Sequence, residues 1–96
     1  MAEVLWISSY SRIPYPDRLA AYAALTLPAI KTAGGRVLAR GLPLQTYEQG
    51  QAERVVVIEF DSIESARKMR DGADYQAALA ALAGAAERDI RIIETV

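Results

Sequence analysis

The sequence predicts an α+β fold, a ferredoxin-like β-α-β-β-α-β sandwich with a four-stranded antiparallel sheet and both helices on one face. Three observations carry that prediction. The chain reads as an approximate duplication of one unit, strand then helix then strand. The run Val55 to Phe60 is apolar on both faces except at Glu59, so it belongs inside a sheet that is covered twice. The breaks fall at Pro14 and Pro16, Gly34-Gly35, Pro43 with Gly50, and Gly72, where turn chemistry is expected.

The first strand is Glu3 to Tyr10, with Leu5, Ile7 and Ser9 on one face and Val4, Trp6, Ser8 and Tyr10 on the other. Ser11 to Pro16 breaks it. A helix follows from about Asp17, because Leu19, Tyr22, Ala23, Leu27 and Ile30 recur at helical spacing, and Gly34-Gly35 stops it. Pro28 removes a backbone hydrogen bond there, which predicts a kink or break near Thr26. The second strand is Arg36 to Arg40, with Val37 and Ala39 opposite Arg36, Leu38 and Arg40. Gly41 to Gln51 is a long turn. In the third strand Val56, Ile58 and Phe60 face one way and Val55, Val57 and Glu59 the other. Asp61 is placed to cap the next helix, with Glu64 reaching back to the free amide. That helix ends near Gly72, and Asp74 begins a second helical stretch, Tyr75 to about Arg88, with Leu79, Leu82 and Ala86 as its apolar stripe. Ile90 to Val96 alternates as the last strand.

Composition narrows the function classes. The 96 residues make one domain, residues 1–96. A chain of this length folding alone hides only ~60 to 65% of its unfolded surface. Since 52% of the residues are hydrophobic, some are expected to cover a subunit interface. The formal net charge is −1 and the 11 basic residues are scattered, so nucleic acid and anionic membrane are not expected partners. Cysteine and histidine are both absent. Thiolate nucleophiles, histidine-based triads, ordinary zinc sites and histidine-ligated haem therefore drop out. Acids recur at no metal-ligand spacing, and the glycine pair closes a helix instead of opening one, so neither metal nor nucleotide cofactor is expected. With no basic n-region ahead of an apolar core and no long apolar run, the expected location is the cytoplasm.

Helices on one sheet face leave the other bare, with Val4, Trp6, Leu38, Val55, Val57, Ile90 and Ile92 assigned to it. A patch of that kind predicts a homodimer through the sheet face, a dimeric α/β barrel. The polar and aromatic residues assigned to this covered face are Trp6, Ser8, Tyr10, Arg36, Arg40, Glu59 and Glu94. Arg40 and Glu59 stand out, because both lie near strand ends and are expected to point into one cavity. An arginine fork there holds a carboxylate or enolate oxygen, and a desolvated glutamate serves as general base. The plainer reading is that the two form a buried ion pair. Trp6 and Tyr10 would make a stacking wall for a planar ligand, although core or interface packing is the ordinary use of such residues. Tyr22 sends its hydroxyl toward the same cavity or packs. Tyr75 reads as a helix anchor, Arg67, Lys68 and Arg70 as a solvated face, and Glu87, Arg88 and Asp89 as a surface turn.

GGRVLARG at Gly34 to Gly41, RVVVIEFDSIESAR at Arg54 to Arg67 and DYQAA at Asp74 to Ala78 together resemble the domain of unknown function 1330 family. The resemblance covers nearly the whole chain. The family's usual Ser-Pro-Glu-Tyr-Gln stands here as Gly72-Ala73-Asp74-Tyr75-Gln76, keeping the Tyr-Gln pair and losing the proline. The resemblance implies a small dimeric α/β-barrel protein with no settled biochemical role. Its wider superfamily holds cofactor-free monooxygenases, muconolactone-isomerase-like enzymes, haem-dependent enzymes and domains without known activity.

Three functional expectations follow. One is a cofactor-independent enzyme for a small anionic or aromatic molecule, with Arg40 as oxyanion or carboxylate holder and Glu59 as acid or base. Another is a non-catalytic binding or sensing domain using the same cavity, with Arg40, Glu59, Trp6, Tyr10 and Tyr22 as ligand-binding residues. The third is a structural dimer whose cavity is filled by its own side chains, with Arg40 and Glu59 as a buried ion pair.

Overall fold

Seven elements run in the order β1 (Val4–Arg12), α1 (Pro16–Thr32), β2 (Arg36–Gly41), β3 (Val55–Phe60), α2 (Ile63–Asp71), α3 (Ala73–Leu82) and β4 (Glu87–Glu94) in this computed structural model, which describes residues 3–84 and 86–96. The strands form one antiparallel sheet in the order β2-β3-β1-β4. The helices pack on one face of it. A thickness of 15 Å across a molecule 34 by 32 Å wide is that of one sheet and one helix layer. The ferredoxin-like expectation holds, with the second crossover divided at Gly72 into two short helices. No helix among the described residues is long and apolar enough to cross a membrane.

Sheet register fixes which side chains meet the helices. Trp6 lies opposite Ile58 of β3 and Ile92 of β4, and Val4 lies opposite Phe60. Val4, Trp6, Ile58 and Phe60 are buried with Tyr22, Ala29 and Ile30 of α1, Ala66 and Met69 of α2, and Tyr75, Ala78 and Leu82 of α3. This corrects the expected face of Val4, Trp6, Ile90 and Ile92, which belong to the helix side. The opposite face carries Leu5, Ile7, Val55, Val57 and Ile93. The correction follows from pairing: residues in register across antiparallel strands share a face, and Val4 is paired with Phe60, not with Val55 or Val57.

Local chemistry shapes the ends of the elements. Gly34 adopts φ 79°, where glycine is favoured, and a Cβ on Gly35 would lie 2.7 Å from the Phe60 ring, so the α1–β2 turn needs both glycines. Ser62, not Asp61, caps α2, its hydroxyl accepting from the Ser65 amide at 3.1 Å. Ser62 is the last extended residue, at φ −154° and ψ 162°, so its side chain reaches the open amides. The expected break near Thr26 does not occur, and α1 is one helix through Pro28. Thr26 donates to the Tyr22 carbonyl at 2.8 Å one turn earlier, and Pro28 sits on the exposed side.

Two irregularities decide the site. Between Val37 and Ala39 the β2–β3 register slips, so Leu38 is an extra residue. Val37 lies opposite Ile58 on the helix side, and Arg40 lies opposite Val56 on that same side. Without the bulge Arg40 would face away from it. The second irregularity is the early end of α3, at Leu82 instead of about Arg88, where Ala83 turns left-handed at φ 43°. β4 therefore starts at Glu87 instead of Ile90, which brings Arg88 into the sheet opposite Tyr10.

Candidate functional site

One end of the sheet gathers the polar residues of the helix side. Here β1 and β2 finish and β3 and β4 begin, so Tyr10, Arg40, Arg54 and Arg88 all arrive from strand ends. The Tyr10 amide donates to the Arg54 carbonyl at 2.9 Å, and Arg88 pairs with Tyr10 on the other edge. Ser8, flanked by Ile90 and Val56, forms the next row, and Val56 in turn meets Arg40. Above these rows α1 contributes Leu19, Tyr22, Ala23, Thr26 and Leu27. Between helix and sheet lies a cavity of about 50 Å³. That space takes a few waters or a carboxylate-sized group. Leu27 and Arg40 are exposed and mark its mouth.

The Arg88 guanidinium and the phenols of Tyr10 and Tyr22 form the inner wall, with Tyr75 hydrogen-bonded behind them. Arg88 donates to the Tyr22 hydroxyl at 2.7 Å, to Tyr75 at 3.2 Å and more distantly to Tyr10 at 3.4 Å. Tyr22 and Tyr75 share a further hydrogen bond of 2.6 Å between their hydroxyls. The Tyr75 ring stands edge-on to Trp6 and to Tyr22, with centroids 5.8 and 6.0 Å away, which fixes the phenol against the sheet. The Arg88 guanidinium also lies 4.6 Å from the centre of the Tyr22 ring.

The cluster has more donors than acceptors. A guanidinium only donates, so all three phenol oxygens receive from Arg88. One of the Tyr22–Tyr75 pair donates to the other. The remaining proton of that pair, and the proton of Tyr10, meet no acceptor among the described residues. Ser8 Oγ and Arg54 Nε are likewise buried without a partner among the described residues. Burial, then the neighbouring Tyr22, pushes the Tyr75 hydroxyl well above the ordinary tyrosine range against the pull of Arg88, so Tyr75 stays protonated. Burial works against the Arg88 charge, yet the tyrosine oxygens, Tyr22 first, more than offset it and keep the guanidinium charged.

Charge points the same way. Arg40, Arg54 and Arg88 line the cavity, and no carboxylate among the described residues does. The ion pairs among the described residues are Arg12–Glu87, Arg36–Glu59 and Arg91–Asp89, none of which involves those three arginines. Three guanidinium groups with unmet donors beside them suit an anion rich in acceptor oxygens. No group of three or more metal-ligating side chains occurs among the described residues.

Of the residues singled out from sequence, Trp6, Tyr10, Tyr22 and Arg40 line this cavity, which lies between α1 and the sheet and not beneath the bare sheet face. Glu59 does not. It sits opposite Arg36 on the other side of the sheet and pairs with that arginine, so the Arg40–Glu59 ion pair is absent. The bulge at Leu38 is the reason, since it places Arg36 and Arg40 on opposite faces. Glu94, assigned with them to one face, pairs across from Val4 at the far end of the sheet. Sequence reasoning missed Arg88, Arg54 and the part played by Tyr75. For Arg88 a signal was present: extending the Ile90-Ile92 alternation back two residues puts Arg88 on their face.

Solved structures similar to this chain share its architecture. A protein of unknown function from Rhodopseudomonas palustris is 20% identical, with a TM-score of 0.76 over 99% of this chain and 83% of that one. SnoaB, a cofactor-independent oxygenase from Streptomyces nogalater, is 12% identical, with a TM-score of 0.72 over 100% of this chain and 95% of that one. A dimeric protein of unknown function with a ferredoxin-like fold, from Bacteroides fragilis, is 18% identical, with a TM-score of 0.58 over 97% and 96% of the two chains. At these identities the likeness concerns the fold alone. No curated protein matches the chain. The family model for the domain of unknown function DUF1330 matches residues 3–96, and the chain belongs to that family.

Proposed function

We propose that the protein binds a small organic anion, with its acid group in the cavity between α1 and the sheet and an apolar or aromatic body leaving past Leu27. The observation that carries this reading is the lining itself: Arg40, Arg54 and Arg88 converge on one space that no carboxylate among the described residues enters. Tyr10 and Tyr22 offer further donors, and Trp6, Leu19 and Ala23 supply apolar wall. Titration with phenylacetate, and with phenethylamine as a near-isostere of opposite charge, tests it. Saturable binding of the acid alone, weakened about tenfold or more in Arg40→Gln, is expected. Equal binding of the amine, or no binding of the acid, refutes it.

A second reading adds turnover without a cofactor, and the likeness to SnoaB, named as a cofactor-independent oxygenase, favours it. Arg88 and the phenols are suited to hold a developing oxyanion. A side-chain base is another matter, because Glu59 lies on the far face and Tyr75 keeps its proton. Turnover here therefore suits a substrate acidic enough to ionise by itself. Oxygen uptake with an enolisable acid, abolished in Arg88→Met and unchanged in Glu59→Gln, is the expected result.

Assembly as a homodimer is part of the proposal. Leu5, Ile7, Val55, Val57 and Ile93 make an apolar stripe on the helix-free face, and the Bacteroides fragilis protein of the same architecture is dimeric.

A further inference from the structure

We infer that the anion this cavity takes is a 2-oxo acid, its ketone oxygen held by Ser8 and Arg54 beside the acid group; the inference rests on the anion-binding reading. Two polar atoms are left over once that acid group is placed. Ser8 is only 2% exposed, it lines the cavity, and its hydroxyl has no partner among the described residues. Arg54 Nε is buried and equally unpartnered. A buried donor without an acceptor is costly, so the pair marks a position where an oxygen belongs.

The register puts these two residues side by side on one cavity wall. Ser8 is opposite Val56, and Arg54 is two residues before Val56, so the two side chains are diagonal neighbours on the helix-facing side of β1 and β3. Tyr10, next along β1, separates Arg54 from Arg88. One cavity of about 50 Å³ thus offers two donor sets, the Arg88–Tyr22–Tyr10 group and the Ser8–Arg54 pair. Two oxygen functions that fit such a space at once are only a bond or two apart. Arg54 Nε donates only, and a ketone oxygen has two lone pairs and no proton of its own to place, so it accepts from both Ser8 and Arg54. A plain carboxylate held by both oxygens in the Arg88–Tyr22–Tyr10 group leaves the pair unmet.

Benzoylformate and phenylacetate differ only in a ketone against a methylene, which makes them the probes. Calorimetric titration of the wild-type protein should give benzoylformate about tenfold or more tighter binding, the scale of an added hydrogen bond to a charged donor. Ser8→Ala, and independently Arg54→Gln, should bring the two acids to within about threefold of one another. Having two variants guards against one failing to fold. Equal wild-type affinities, as when a water already fills the Ser8–Arg54 position, overturn the inference and leave the anion reading standing. A preference that survives in both variants overturns the assignment to Ser8 and Arg54. Failure of both acids to bind overturns the anion reading, and this inference with it.

Discussion

Arg88 donates to the hydroxyl of Tyr22 at 2.7 Å, joining the first residues of the last strand to the middle of the first helix. The same guanidinium reaches Tyr75 of α3 at 3.2 Å, so one cation ties three elements together. Replacing Arg88 with Met keeps much of the apolar stem and removes the donors. The expected cost is about 2 kcal/mol, since hydrogen bonds to a charged group are partly repaid by the relief of burying that charge. Tyr75→Phe alone should cost about 1 kcal/mol, because Tyr22 keeps Arg88 as a partner. Denaturant unfolding of the two single variants and the double variant checks this. A coupling of about 1 kcal/mol is expected, and purely additive losses would mean that the cluster does not act as a unit.

Alkaline pH should unfold the protein through the same cluster. The Tyr75 hydroxyl ionises near pH 10.0 in an unfolded chain and well above that when buried beside Tyr22. Between those two values the unfolded chain has released a proton that the folded one retains, so stability falls as pH rises. Below pH 10.0 this contribution is fully present. Unfolding free energies measured across pH 9 to 11, about the tyrosine range, should decline more steeply for the wild type than for Tyr75→Phe. Spectroscopic titration of the wild type against Tyr75→Phe should also show that the Tyr75 phenol ionises only on unfolding.

How far the sequence could be read depended on how local the deciding interactions are. Strand alternation and glycine stops are local, and Val55 to Phe60, Gly34-Gly35 and Gly72 placed their elements well. Face assignment is not local, because each strand offers two equivalent faces until pairing joins them. Alternation groups Trp6 with Tyr10, and only the pairing of Trp6 with Ile58 places both on the helix side. The bulge at Leu38 was invisible for a related reason: one extra residue in β2 shows only against the register of β3, and it reversed the side on which Arg40 sits relative to Arg36. Arg88 reads as a turn residue from sequence because it lies among charges, although a strand that begins at the edge of a cavity has reason to start with one.

Glu59 provides a direct test of this geometry. Its carboxylate is paired with Arg36 on the helix-free face, and Arg36 is largely exposed. A half-solvated pair of this kind contributes below about 1 kcal/mol. Glu59→Gln should therefore leave anion binding in the cavity unchanged and lower stability only slightly. Loss of phenylacetate binding in a folded Glu59→Gln protein would place the carboxylate in the site and contradict the register of β2.

The helix-free face makes the last prediction. Leu5 pairs with Ile93 across β1 and β4, Ile7 with Val57 across β1 and β3, and Val55 continues the stripe, so these side chains form one contiguous apolar surface. Ile93 is 57% exposed in the protomer, which costs little for one residue but much for a stripe of five. The flanking Arg36–Glu59 and Arg91–Asp89 pairs give that stripe a charged border, the usual arrangement at a buried interface with a polar rim. Ile7→Glu together with Val57→Glu would bury facing carboxylates if two copies met there. Sedimentation should show a dimer for the wild type and a folded monomer for this variant, with the cavity on the other face still binding phenylacetate. A wild-type monomer, or a double variant that remains dimeric, would move the interface elsewhere on the molecule.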